Sequence, residues 1–184
     1  MIQIYTKDRP FIAKIKERYS LCVSGSKKNT QHIVLDLSGS NIHYEVGDSV
    51  GVWPSYDPVL IENTLSTMKA NGNETVRDRR TGLDWNLREY LTIKANISDL
   101  SKKLLLNICE KQTNSYKKES LEQLLKEENH YLLKEFLATR NLLDVLREHP
   151  EAIFSSQELI NLLMPMMPRF YSIASSKNVV GEEV

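Results

Sequence analysis

The residues best equipped for chemistry stand together near the C-terminal end, in Pro168-Arg169-Phe170-Tyr171-Ser172-Ile173-Ala174-Ser175-Ser176. This stretch combines a guanidinium able to fork onto a phosphate, an aromatic ring able to stack on a planar heterocycle, and three serine hydroxyls. Its composition predicts a strand over 169–175. Residues two apart on a strand share a face, so Arg169, Tyr171 and Ile173 point one way and Phe170, Ser172 and Ala174 the other. By spacing alone, a plain sheet strand with an arginine at its edge is the preferred reading. Arg77, Arg79 and Arg80 form a second cationic group, but Asp78 and Asp84 neutralise it locally, which favours a solvated loop over a phosphate site. His32, His43, His130 and His149 are scattered without ligand spacing, so no metal site is expected. Gly-x-Gly-x-x-Gly, P-loop, Gly-x-Ser-x-Gly and His-Glu-x-x-His patterns do not occur in the sequence.

The elements that must position these groups follow from periodicity. Alternating residues over 11–23, a Ser24-Gly25-Ser26 turn and a second alternating run over 31–37 predict a hairpin. A short apolar strand over 49–53 closes at Pro54, so three antiparallel strands are expected to open the chain. At Asp57-Pro58 the period becomes helical, with Asp as N-cap and Pro in the first turn. Helices are then expected at 58–71, around 87–91, and over 98–111, 120–128, 131–137 and 142–148. Residues 73–83 read as a polar loop or short hairpin. A last helix starts at Ser155, with Glu158 completing a capping box, and stops at Pro165. The predicted class is α+β: residues 1–56 plus 166–184 as a partial antiparallel barrel of about four strands, and 57–165 as an all-helical insert. Four strands with open edges make no closed barrel, so the chain reads as truncated.

Composition narrows the function class. The 184 residues carry 24 Lys plus Arg against 24 Asp plus Glu, a net charge of zero. Such a chain lacks the basic footprint for nucleic acid or anionic lipid, and neither partner is expected. The longest apolar stretch, 159–167, is too short and too interrupted to span a bilayer. Lys7, Asp8 and Arg9 leave no signal-peptide core, which makes the cytoplasm the expected location. Cys22 and Cys109 are then expected as two reduced thiols.

The PRFYSIASS stretch resembles the Arg-x-Tyr-Ser flavin motif of the ferredoxin-NADP reductase superfamily, in the extended form found in diflavin reductases. YEVGDSVGVWPSYDP over 44–58 resembles the strand and turn that precede the helical connecting insert there, and INLLMPMMPRFYSIASS the approach to the flavin strand. The likeness is greatest to the sulfite reductase type and runs from about Pro10 to the C-terminus, although residues 92–150 match only in character. It implies a Greek-key FAD-binding barrel with a connecting insert. It also implies that Arg169 binds the FAD phosphates, that Tyr171 packs on the isoalloxazine, and that Ser172 lies near flavin N5 and assists hydride transfer. Thr92, in the Leu-Thr pair ahead of the insert, corresponds to a threonine at the adenine end of FAD. Phe170 stands where Leu or Tyr is commoner. Further barrel strands, a Gly-Gly-x-Ser/Thr pyrophosphate loop, an NADP-binding module and a flavodoxin-like FMN module, all found in the family, do not occur within these 184 residues.

Two function classes follow. One is the FAD-binding portion of an NADPH-dependent oxidoreductase passing electrons to FMN or to an iron–sulfur or sirohaem subunit, with a reductase of cytochrome P450 or another haem protein as the variant within that class. On this reading the 184 residues alone hold FAD weakly and are inactive. The other is a non-enzymatic helical interaction module, supported by the amphipathic helices between Ser98 and Leu163. The Arg169-Tyr171-Ser172 order separates them, since a scaffold has no use for it.

Overall fold

The computed structural model describes residues 5, 6 and 10–184, so the reading of Lys7 to Arg9 lies outside the described residues. In chain order the elements are β1 (Lys14–Ser20), β2 (Gln31–Asp36), β3 (Ser49–Val52), α1 (Pro58–Thr67), β4 (Thr75–Arg77), β5 (Asp84–Asn86), α2 (Leu87–Ile93) and β6 (Ala95–Asn96). There follow α3 (Lys102–Lys111), α4 (Ser115–Leu125), α5 (His130–Thr139), α6 (Leu142–Glu148), α7 (Ser156–Ile160), β7 (Met164–Pro165), β8 (Arg169–Ser172) and α8 (Lys177–Val180). The fold is mixed, with helices and small antiparallel sheets. Among the described residues the strands form four two-stranded sheets and no closed barrel.

The chain divides into two compact units, Met1–Val52 with Arg169–Val184, and Trp53–Pro168. In the first, β1 and β2 form the expected antiparallel hairpin, with a bulge between Ile15 and Glu17. Strand β3 does not join this hairpin. The second edge of β2 is taken by the chain's last residues: Leu35 N–H donates to Val184 O at 2.7 Å and Leu37 N–H to Glu182 O at 2.8 Å. Strand β3 pairs instead with β8, in the register Ser49 to Ser172 and Val52 to Arg169. Three strands do open the chain, but the third finds its partner far away in sequence, since backbone donors and acceptors can be satisfied across any sequence distance.

The second unit is held by Ile61 and Leu65 of α1, Leu87 and Leu91 of α2, Leu104, Leu105 and Ile108 of α3, Leu142 and Val145 of α6 and Leu159 of α7, all buried. Side chains of this size each contribute about 1.5–3 kcal/mol on full burial. Local capping sets the helix ends. Asp57 accepts from Val59 N–H with Pro58 in the first turn, and Ser155 with Glu158 forms a capping box. The N-terminus of α3 comes later than its apolar period suggests. The Asn96 side-chain oxygen accepts from Ser98 and Asp99 N–H, which ties 96–99 into a turn and leaves Ser101 to cap the helix. Asn114 caps α4 in the same manner, so that the helix begins at Ser115, five residues ahead of the expected start at Ser120.

An all-helical insert is also corrected. Strands β4 and β5 form a hairpin, and β6 pairs with β7 at Ala95 to Pro165 and Asn96 to Met164. Helix α7 ends at Ile160, well short of Pro165, which lies in the two-residue strand. Pro165 has no N–H to give, and Met166 N–H donates to Lys94 O at 2.7 Å in its stead. At the end of α1, Gly72 has φ +88 and its Cα faces the Arg88 side chain so closely that a Cβ would stand 2.8 Å from the guanidinium nitrogen. Arg88 uses that approach to donate to Asn71 O at 2.8 Å and to pair with Glu62.

Candidate functional site

Strand β8 carries Arg169, Phe170, Tyr171 and Ser172, and all four are exposed, Phe170 at 70% and Tyr171 at 55%. One edge of the strand is fixed by the β3 ladder, in which Tyr171 stands opposite Val50 and Phe170 opposite Gly51. The expected strand over 169–175 is shorter than its pattern suggests. After Ser172 the chain dives inward, and Ile173, 8% exposed, packs with Leu37 and Tyr44. Arg169 and Tyr171 therefore alternate with Phe170 and Ser172 across the strand, while Ile173 serves as an anchor instead of extending the exposed face.

Backbone bonds set that anchor. Ile173 N–H donates to Asp48 O at 2.7 Å and Gly47 N–H to Ile173 O at 3.1 Å, which Gly47 permits with φ +98. The segment beyond is tied down as well. Tyr44 donates its phenol proton to Glu183 O and lies 3.4 Å from Ser175 Oγ, and Lys177 Nζ donates to Ile42 O at 2.5 Å. An open, polar cleft of about 670 Å³ lies just past the strand, lined by Tyr44, Asp48, Ser176 and Lys177 among others. Among the described residues, no side-chain hydrogen bond or ion pair engages Arg169, Tyr171 or Ser172, so a guanidinium, a ring face and a hydroxyl all point outward from one short, braced strand. The donor set suits a phosphorylated, aromatic ligand: charge-assisted bonds to phosphate from arginine and stacking from tyrosine.

Thr92 is not part of this strand's unit. It occupies the last turn of α2, half-buried, where its hydroxyl donates to Arg88 O at 2.7 Å and its carbonyl accepts from Tyr56 N–H at 3.3 Å. The arginine group at 77–80 sits on the β4–β5 hairpin, with Arg77 paired to Asp84 at 3.6 Å and Arg80 to Asp78 at 3.9 Å. The buried Asp78 carboxylate also accepts from Arg80 N–H and Thr81 Oγ–H, which is the chemistry of a turn. The two thiols are unpaired. A bond from Thr30 N–H draws the Cys22 thiol down, whereas burial pushes Cys109 up. Among the described residues no three metal-binding side chains gather, and no helix is long and apolar enough to cross a membrane.

Comparison with known proteins adds what geometry alone leaves open. The FAD binding domain family matches residues 4–184. The chain belongs to that family. FAD is the cofactor the family is built around, and the outward-facing Arg169, Tyr171 and Ser172 fit its phosphate and ring chemistry. Among curated relatives, the sulfite reductase [NADPH] flavoprotein alpha-component of Bacillus subtilis (strain 168) is 36% identical over 180 residues, covering 98% of this chain and 29% of the relative. The proteins of the same name from Baumannia cicadellinicola subsp. Homalodisca coagulata and Escherichia coli O157:H7 are each 32% identical, again over 98% of this chain, and 29% and 28% of the relatives. The chain thus spans less than a third of the length of these relatives. Of the supporting groups, Tyr44 and Gly47 fall within the 44–58 stretch that carries the resemblance, though without a role of their own there, and Lys177 was not singled out.

Proposed function

We propose that this chain is the FAD-holding portion of an NADPH-dependent flavoprotein oxidoreductase of the sulfite reductase type. Residues 1–56 and 166–184 belong to an antiparallel Greek-key barrel and 57–165 to a connecting insert, here one that includes short strands. The observation that carries the proposal is the exposed Arg169-Phe170-Tyr171-Ser172 strand within a chain that the FAD binding domain family matches almost end to end. Arg169 donates charge-assisted bonds to the FAD phosphates, and the Tyr171 ring covers one face of the isoalloxazine. Ser172 presents its hydroxyl near the flavin N5 edge, as the one group assigned a catalytic role, and Thr92 contacts the adenine end. Bound FAD supplies two-electron acceptance and one-electron release, with the protein supplying orientation. NADPH as donor, and a flavodoxin-like FMN module or an iron–sulfur/sirohaem subunit as acceptor, belong to the longer protein. The relatives' names support the sulfite reductase type over a haem-protein reductase such as that of cytochrome P450. A cytoplasmic setting, in which Cys22 and Cys109 stay reduced, belongs to this reading.

The test is flavin retention. The 184-residue chain purifies colourless or with substoichiometric FAD and does not oxidise NADPH. A longer polypeptide including the Gly-rich pyrophosphate loop of the family purifies yellow. Arg169→Ala in that polypeptide weakens FAD by about 10- to 150-fold, the equivalent of about 1.5–3 kcal/mol for charged hydrogen bonds, with helical content unchanged. A longer polypeptide that stays colourless would remove the assignment.

A further inference from the structure

In the helical unit, a buried polar cluster joins three segments that the hydrophobic core does not explain. Gln112, 4% exposed, follows the end of α3, and His149, 8% exposed, caps the end of α6. Gln112 Nε2 lies 3.1 Å from His149 Nδ1 and 3.4 Å from Glu151 Oε2. Glu151 in turn meets Lys117 Nζ of α4 at 3.2 Å through both oxygens.

The protonation pattern of this cluster follows from one backbone group. Asn114 N–H is a fixed donor, and it donates to Gln112 Oε1 at 3.0 Å. The oxygen of the amide is therefore committed on that side, and its NH₂ must face His149 and Glu151. Two hydrogens meet two acceptors only if His149 Nδ1 carries no proton, that is, as a neutral ring with its proton on Nε2. A proton on Nδ1 sets donor against donor in a buried place, where an unmade hydrogen bond is costly.

We propose that Gln112 and His149 form a proton-operated latch: with His149 neutral it fastens the α3–α4 corner to the segment after α6, and on protonation it releases that corner. The corner is also where α4 takes its cap, since Asn114 Oδ1 accepts from Lys117 N–H. Opening therefore loosens the start of α4 together with the Lys117–Glu151 pair. The charged groups facing the ring are Glu148 of α6 and Glu151 of the following segment, which favour the imidazolium, and Lys117 of α4 and Arg140 before α6, which oppose it. Burial outweighs them and holds His149 below its ordinary value of 6.5. A depressed histidine means that the open state binds the proton more readily. The latch is thus fully closed above about pH 6.5 and opens as pH falls through the lowered value.

The experiment is an NMR titration of the whole 184-residue chain from pH 8 to 5, with amide exchange measured alongside. The expected result is that the Gln112 side-chain NH₂ resonances and the His149 ring shifts move with one midpoint. From about pH 6.5 down to that midpoint, Asn114 amide protection, corrected for intrinsic exchange, falls by up to about tenfold per pH unit, the limit for one proton taken up on opening. Leu105, deep in α3, keeps its protection. His149→Asn, which retains an acceptor and cannot titrate, makes Asn114 protection independent of pH. Should that variant not fold, Gln112→Glu decides: a carboxylate in place of the amide moves the His149 midpoint upward by about one to three units. Gln112 resonances that ignore the His149 titration, Asn114 protection that stays flat in the unaltered chain, or a midpoint unmoved in Gln112→Glu each overturn the latch.

Discussion

The unit Trp53–Pro168 leaves Ile61, Leu91, Leu105, Ile108, Leu142, Val145 and Leu159 no more than 1% exposed, whereas the buried apolar cluster of the other unit is Leu37, Tyr44 and Ile173 at 7–9%. All seven residues of β1 and all four of β8 are exposed. Backbone pairing and a few tethers hold that second arrangement in place of a dense interior. The contrast separates two tasks. One region stabilises itself by burial; the other displays a guanidinium, a ring and a hydroxyl on a strand whose own packing asks little of them. Those exposed side chains are thereby free of structural duties, and under the proposed function a ligand bound there would add stability to the thinner region by mass action.

Substitution can break that comparison. Leu105→Ala removes a fully buried side chain and is expected to cost about 2–5 kcal/mol, measured by denaturant unfolding followed through helical circular dichroism. Ser155→Ala deletes half of the capping box at α7 and is expected to cost about 1 kcal/mol in the same assay. Ile15→Ala, at a position 58% exposed on β1, is expected to stay within about 0.5 kcal/mol of the parent chain. If Ile15→Ala costs as much as Leu105→Ala, the two regions share one mode of stabilisation and the contrast is lost.

What the sequence revealed followed the range of the interaction. Asp57-Pro58 and Ser155 with Glu158 announce helix starts because a cap is decided within four residues, and the β1–β2 hairpin is legible in its alternation. The partner of β3 was not legible, because nothing within Ser49–Val52 names a strand beyond residue 168. The β6–β7 pair escaped for the same reason, and also because Pro165 reads as a helix stop long before it reads as a strand. At the candidate site the residue types were plain and the strand end was not: Ile173 continues the alternation of Tyr171, yet packing against Tyr44 claims it. Gln112 and His149 gave no warning, since a lone glutamine and a histidine before proline are ordinary at helix ends, and only the fold brings residues 37 apart into contact.

The β3–β8 ladder also sets an order of events on the ribosome. Strand β3 emerges early but meets β8 only after all of Trp53–Pro168 has been made, a delay of roughly 6–23 s at about 5–20 residues per second. The bonds from β2 to residues 182–184 wait longer still. During that interval the helical unit can collapse on its own local contacts, while the nascent strands stand with open edges. The exposed strand β8 therefore completes this ladder late, and slow translation lengthens the time for which β3 is open to the wrong neighbour.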